Sequence, residues 1–298
     1  MLTEQQIRGV YVPVVTPFNA AGDIDLDSYQ RYVKNILKNS IQGLVVNGTT
    51  GESPTVNITE LQLLVNASRE LLKSTTIPLV VGTGTNDTRS TVARTELAAN
   101  LGADAVLVVV PYYSRPSQEG IIEHFRKAAE VGVPVMAYDI PGRTGVGLTV
   151  DTARTILEMN NVVGLKDCSG SPKLVTELSR LGSKPVLCGD DINFYDMLGH
   201  GAAGGMLASA NVQPAAFIQI YEYFISGQLD LAKETFDQLI PLIRLLFKES
   251  NPAPIKWVLS ANGDIASDTL RLPLTSISQS LQEELRNHLQ KDTLNLPA

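Results

Sequence analysis

Short β-branched apolar runs alternate with longer stretches of mixed polarity along most of this chain. The apolar runs fall at 10–16, 43–47, 79–82, 105–110, 134–139, 162–166, 185–189 and 205–209. Each is short and lacks the strict polar alternation of a half-exposed strand, so each predicts a strand covered on both faces. Between them, apolar residues recur at helical spacing, as at 26–37, 59–72, 88–101 and 118–131. For one of these helices Asp87 supplies an N-cap and Gly102 a terminal glycine. The repeat length is roughly 25–30 residues, the size of one βα unit. Eight such units predict an α/β fold whose parallel strands close into a (β/α)8 TIM barrel. No G-x-G-x-x-G follows the first run, which argues against an open dinucleotide-binding sheet.

Beyond residue 226 the strand signals stop. Residues 228–249, 252–261 and 278–291 carry helical patterns, with Asn262-Gly263-Asp264 and Arg271-Leu272-Pro273 between the last two. No linker composition separates them from what precedes. The expected organisation is a barrel over 1–226 and a helical extension over 227–298 packed on it.

Charge narrows the function classes. A formal net charge of −7 over 298 residues, with no basic block, argues against nucleic acid and anionic membranes as partners. The longest apolar stretch, 105–111, is far too short to span a bilayer. The N-terminus, MLTEQQIRGV, has no signal-peptide core, and Cys168 and Cys188 form no C-x-x-C pair. Together these predict reduced thiols in a cytoplasmic protein. His124, His200 and His288 lack metal-ligand spacing, so no metal is expected.

In such a barrel, chemistry sits at the C-terminal ends of the strands. Lys166 closes the run Val162-Val163-Gly164-Leu165-Lys166. Burial disfavours an ammonium, and a neutral amine attacks carbonyls to form Schiff bases. Taken alone it reads more readily as a strand-end lysine snorkelling to solvent. Other strand ends add Asn47-Gly48-Thr49-Thr50-Gly51-Glu52, Pro111-Tyr112-Tyr113-Ser114-Arg115-Pro116, Tyr138-Asp139-Ile140-Pro141-Gly142-Arg143 and Gly189-Asp190-Asp191. Each has a plain structural reading as a turn, a cap or a solvated charge. Hydroxyls, phenols, a guanidinium and a lysine converging on one face favour a site.

These residues resemble those of the pyruvate-dependent class I aldolase family, that of N-acetylneuraminate lyase and dihydrodipicolinate synthase, along almost the whole chain. The Gly48-Thr49-Thr50-Gly51-Glu52 turn and Gly164-Leu165-Lys166-Asp167 carry the family resemblance. The Tyr112-Tyr113-Ser114-Arg115-Pro116 loop, Gly142-Arg143-Thr144-Gly145 and Asn251-Pro252-Ala253-Pro254-Ile255-Lys256-Trp257 resemble the branch that condenses pyruvate with L-aspartate-4-semialdehyde.

The resemblance implies that Lys166 forms an imine with pyruvate and that Tyr138 is the general acid/base. Thr49 and Tyr113 complete its relay, with Tyr113 supplied by a neighbouring subunit of a homotetramer built from tight dimers. Thr50 and nearby amides hold the pyruvate carboxylate, and Gly189 and Met206 line the pyruvate side. Arg143 clamps the carboxylate of the second substrate, with Asp139 and Gly142 beside it as possible tuners of its affinity. No cofactor is implied. An aldolase for 2-keto-3-deoxy sugar acids or 4-hydroxy-2-oxoglutarate is the alternative, and a non-catalytic keto-acid sensor a more distant one. In lysine-inhibited members the effector site holds a tyrosine, an asparagine, a glutamate and often a histidine. Here those positions read Tyr112, Asn86, Ser90 and Leu61, so weak or absent inhibition by L-lysine is expected unless Glu52 or Asp87 fills the gap.

Overall fold

The computed structural model describes residues 1–294. Eight strands run β1 (Gly9–Pro13), β2 (Gly43–Val46), β3 (Leu79–Gly82), β4 (Ala105–Val109), β5 (Val135–Asp139), β6 (Val162–Asp167), β7 (Val186–Cys188) and β8 (Gly204–Met206). All neighbours are parallel, and β8 pairs with β1 to close the barrel. The strands are buried almost throughout because both faces are covered, which explains their continuous apolar character. Inward residues such as Tyr11, Val45, Val80, Met136, Tyr138 and Met206 fill the barrel. Outward residues such as Val10, Leu44, Val81 and Ala137 join the helices in a second, larger core.

The predicted helices are present at Leu26–Ile36, Ile58–Leu72, Thr88–Asn100 and Gln118–Ala129. Each starts where a side chain satisfies a free amide: Asp25, Asn57, Asp87 and Ser117 all accept from the backbone three residues on. Two strands differ from expectation. The first ends at Pro13, and residues 14–16 leave the sheet so that Thr16 Oγ1 donates to the Gly51 carbonyl at 2.8 Å. The eighth ends at Met206, because the amides of Ala208 and Ser209 turn onto the Asp191 carboxylate and residues 208–211 wind into a 3-10 turn.

A bulge in β6 decides where Lys166 points. Val135 pairs with Val162, but Met136 pairs with Gly164, leaving Val163 over. Tyr138 therefore lies opposite Lys166. In an unbroken register Lys166 would fall opposite Asp139 and face away from the barrel interior, since neighbouring strand positions alternate faces. Gly164 is needed at the bulge: a Cβ there would sit 2.9 Å from the Pro185 carbonyl and 3.0 Å from Ile7 Cδ1.

After Pro214–Ile225 come the helices Leu229–Leu246, Ala253–Ala261 and Gln279–Leu294. Phe236, Ile243, Ile255, Val258 and Leu281 belong to the same continuous core as the barrel helices. Among the described residues no helix is long and apolar enough to cross a membrane.

Candidate active site

Lys166 enters the mouth of the barrel from β6 with 7% of its surface exposed. Its Nζ lies 4.4 Å from the centroid of the Tyr138 ring, on the neighbouring strand. No carboxylate forms an ion pair with it among the described residues. The lysine stem crosses Gly189, just past β7, where a Cβ would come within 2.7 Å of Lys166 Cε and 2.2 Å of Cys168 Sγ. Glycine is thus the residue that leaves the stem a straight path to the pocket. Met206, at the end of β8, is fully buried inside the barrel, in the same inner core as Tyr138.

The Tyr138 hydroxyl is enclosed. Burial pushes it well above the usual phenol range, and the neighbouring Cys168 acts the same way; the hydrogen bond with Thr49 pulls it partly back. The Cys168 thiol donates to the phenol oxygen at a long 3.9 Å. A phenol so placed stays protonated and acts by passing its proton rather than as a standing phenolate. Cys168 is itself pushed up to about 12, chiefly by burial, and so is an unreactive thiol.

Thr49 joins this centre to the mouth. It lies in the turn after β2, next to buried Thr50, and borders a cavity of about 330 Å³ at the rim. Arg143 and Tyr112 border the same cavity. Arg143 stands on a single helical turn, Pro141–Thr144, that follows β5 through Ile140, and its side chain is exposed. The rim is also where backbone strain collects. Asn47, Glu52, Tyr113 and Arg115 all adopt left-handed conformations, at φ 59, 55, 70 and 47, in the loops after β2 and β4. Such residues cost about 1–3 kcal/mol each and persist where the surroundings over-determine them.

Lys166, Tyr138, Thr49, Thr50, Gly189 and Met206 are thus gathered within one chain, with Arg143 at the entrance. Tyr113 is not gathered with them: its ring is 90% exposed. The loop that holds it is fixed, with Arg115 Nε donating to the Gly145 carbonyl at 2.9 Å. Asp139 departs from expectation as well. It faces outward, accepts from the Leu148 amide at 3.3 Å, and is pushed up to about 6 by burial, so it does not border Arg143's cavity. Asp191 is likewise pushed up to about 6 by burial while it accepts from the Ala208 and Ser209 amides.

One feature escaped the sequence reading. Glu52 ends the turn after β2 inside a fully buried ion pair with Lys256 of the helical extension, Nζ to Oε1 at 2.8 Å. Lys256 had entered only as part of a motif. A lysine amid Pro254, Ile255, Trp257 and Val258, on the apolar side of a helix, is the signal that such a partner exists. Glu52 is therefore committed, whereas Asp87 is exposed and caps its helix through one oxygen, which accepts from the Ser90 amide at 2.7 Å.

The chain matches the sequence profile described as the Dihydrodipicolinate synthetase family over residues 6–292. It is 38% identical over 288 residues to the 4-hydroxy-tetrahydrodipicolinate synthase of Methanothrix thermoacetophila, covering 95% of this chain and 96% of that protein. The crystal structure of dihydrodipicolinate synthase from Thermotoga maritima superposes with a TM-score of 0.93 at 38% identity, covering 97% of this chain and 99% of the other. The chloride-inhibited synthase from Acinetobacter baumannii, complexed with pyruvate, gives 0.92 at 36% identity, covering 96% and 99%.

Proposed function

Because this chain belongs to the dihydrodipicolinate synthetase family, we propose that it condenses pyruvate with L-aspartate-4-semialdehyde through an imine on Lys166. The product is 4-hydroxy-tetrahydrodipicolinate, and the reaction is the first committed step towards diaminopimelate and lysine. The observation that carries this reading is the buried Lys166 side chain, without an ion pair among the described residues, facing Tyr138 at the barrel mouth.

Neutral Lys166 attacks C2 of pyruvate, and the carbinolamine loses water to give a protonated imine. The imine is an electron sink, so a methyl proton leaves and an enamine forms. The enamine carbon attacks the aldehyde of the second substrate, whose oxygen takes up a proton. The substrate amine then attacks C2, closing the ring and releasing Lys166. Tyr138 delivers and recovers the protons, with Thr49 as its next partner. Thr50 and the turn amides hold the pyruvate carboxylate, as successive backbone N–H groups hold anions. Arg143 at the entrance holds the α-carboxylate of the aldehyde. These steps call on no metal or organic cofactor. A reducing cytoplasm suits the two cysteines, both free and buried. A coupled assay with a product-consuming reductase tests the whole reading. Turnover with sugar acids and none with aspartate semialdehyde would establish the alternative aldolase instead.

The same reading makes the protein a homotetramer built from tight dimers in which Tyr113 crosses into the partner's relay. Its exposed ring on a strained, anchored loop supports this. Mixing inactive Tyr113→Phe and Lys166→Ala subunits should restore activity; no rescue after verified exchange would place the whole site in one chain. With Leu61 fully buried, Ser90 uncharged and Glu52 engaged, we also propose little inhibition by L-lysine. Strong inhibition at sub-millimolar lysine contradicts this.

A further inference from the structure

The mechanism makes no use of the Glu52–Lys256 pair, although no other ion pair among the described residues is as deeply buried. One of its members belongs to the turn that presents Thr49 and Thr50. The helical extension grips that turn at three points. Asn251 Nδ2 donates to Thr50 Oγ1 at 3.1 Å, Lys256 Nζ to Glu52 Oε1 at 2.8 Å, and the Arg271 amide to Glu52 Oε2 at 3.1 Å. The Lys256 ammonium is itself fixed. It donates to the Thr269 carbonyl at 2.5 Å and lies 4.3 Å from the Phe18 ring, on which the Arg271 guanidinium also rests at 4.2 Å. Arg271 in turn forks onto Glu60 at the start of the helix that follows the turn. From the barrel side, Thr16 Oγ1 donates to the Gly51 carbonyl at 2.8 Å. Thr50 and Glu52 are thus held by the helical extension and Gly51 by the barrel, and Glu52 keeps a left-handed backbone at φ 55.

We infer that Lys256 and Asn251 are positioning residues for the first substrate, holding the 48–52 turn, through Glu52 and Thr50, in the shape that binds a carboxylate. This rests on the reading of that turn as the pyruvate carboxylate cradle. A cradle of amides and hydroxyls works only while its donors converge, and a displacement of about 1 Å costs on the order of 10²-fold. A buried carboxylate with one ammonium partner fixes the end of the turn, because no water competes for it. Arg143 stands on the separate loop after β5 and shares none of these bonds. The pair therefore acts first on pyruvate, and reaches the Arg143 cavity only through the wall that Thr49, Ser53 and Pro54 give it.

The test compares Lys256→Met, Asn251→Ala and the double variant Glu52→Gln/Lys256→Met in the full chain. The measurements are both Michaelis constants, kcat and thermal midpoint. Lys256→Met is expected to raise the pyruvate KM by roughly tenfold or more, with the aldehyde KM held within about twofold. The double variant leaves no buried charge unpaired, so it should regain most of the lost thermal stability while its pyruvate KM stays high. Asn251→Ala should give a smaller rise in pyruvate KM at nearly unchanged midpoint. If Lys256→Met does not fold, the other two variants carry the test. A double variant that regains wild-type pyruvate KM along with its midpoint overturns the inference, as do equal KM changes for both substrates. Borohydride trapping of pyruvate on wild-type Lys166 is scored separately. Its absence sinks the imine reading, whereas normal trapping with unchanged KM in every variant sinks only the positioning role.

Discussion

Lys166 and Lys256 are both buried, at 7% and 0% exposure, and both adjoin the rim where the strands end. Lys256 has a carboxylate at 2.8 Å, a carbonyl at 2.5 Å and an aromatic face at 4.3 Å. Burial lowers its pKa and Glu52 offsets part of that, so its proton is held by the pairing. Lys166 has an aromatic face at 4.4 Å and no ion-pair partner among the described residues. A lysine with every donor satisfied is a fastener. A buried lysine without an ion pair has the environment a nucleophile needs. Environment, not residue type, separates the two roles.

The largest effect that sharpens this contrast comes from exchanging the two lysines one at a time. Lys166→Ala should abolish turnover and pyruvate imine formation while the thermal midpoint stays close to wild type. Lys256→Met should keep imine formation and turnover at saturating pyruvate but lose stability: it strands a buried carboxylate, at a cost of about 3–5 kcal/mol. Denaturant unfolding and steady-state kinetics on both variants decide this, and a stable, catalytically silent Lys256→Met would break the comparison.

Next comes Tyr138→Phe. It keeps the ring against Lys166 and removes the proton carrier, so turnover should fall by about 10²–10⁴ while imine trapping survives. Turnover near wild type would take Tyr138 out of the mechanism. Arg143→Ala should be milder. Losing a charge-assisted pair is worth roughly 1.5–3 kcal/mol, about tenfold to a hundredfold in the aldehyde KM, with the pyruvate KM nearly unmoved. Equal changes in the two constants would count against a carboxylate clamp.

The smallest effect is in pH. Asp139 and Asp191, near the barrel mouth, have folded pKa values of about 6, raised by burial. A carboxyl whose folded pKa exceeds its unfolded value near 4 favours the folded state while protonated, and that gain is lost as pH rises through about 6. At the seam, the Arg271 guanidinium holds Glu60 below the usual carboxylate range, so its contribution is present at neutral pH and disappears on acidification below about 4. On acidification from 7 towards 5 the two aspartates therefore add stability, which His124, held down to about 4 by burial, offsets in part; below 4 stability drops. Asp191→Asn should flatten the first limb and Glu60→Gln the second. An Asp191→Asn midpoint that follows the wild type at every pH between 5 and 7 would contradict this.

The eight strands and the first helices were legible because both-face burial and amphipathic spacing are local properties. Lys166 was legible as a strand-end lysine, but its direction was not. Strict alternation turns it outward, and only the extra residue at Val163, with Gly164 beside it, turns it in. A glycine inside a strand run is the available hint of such a bulge. Tyr113 could be named but not placed, because no local pattern says where the ring of an exposed loop tyrosine is used. The Glu52–Lys256 bond was illegible for a different reason: the two residues are 204 positions apart, and no local pattern joins them.

The claim that one buried lysine is the nucleophile and the other a fastener is tested most directly by a single labelling experiment. The wild-type protein is incubated with pyruvate, reduced with borohydride, digested, and the mass of the peptides bearing Lys166 and Lys256 is measured. The account predicts a reduced pyruvate adduct on the Lys166 peptide alone. An adduct on Lys256, or on neither peptide, would contradict it.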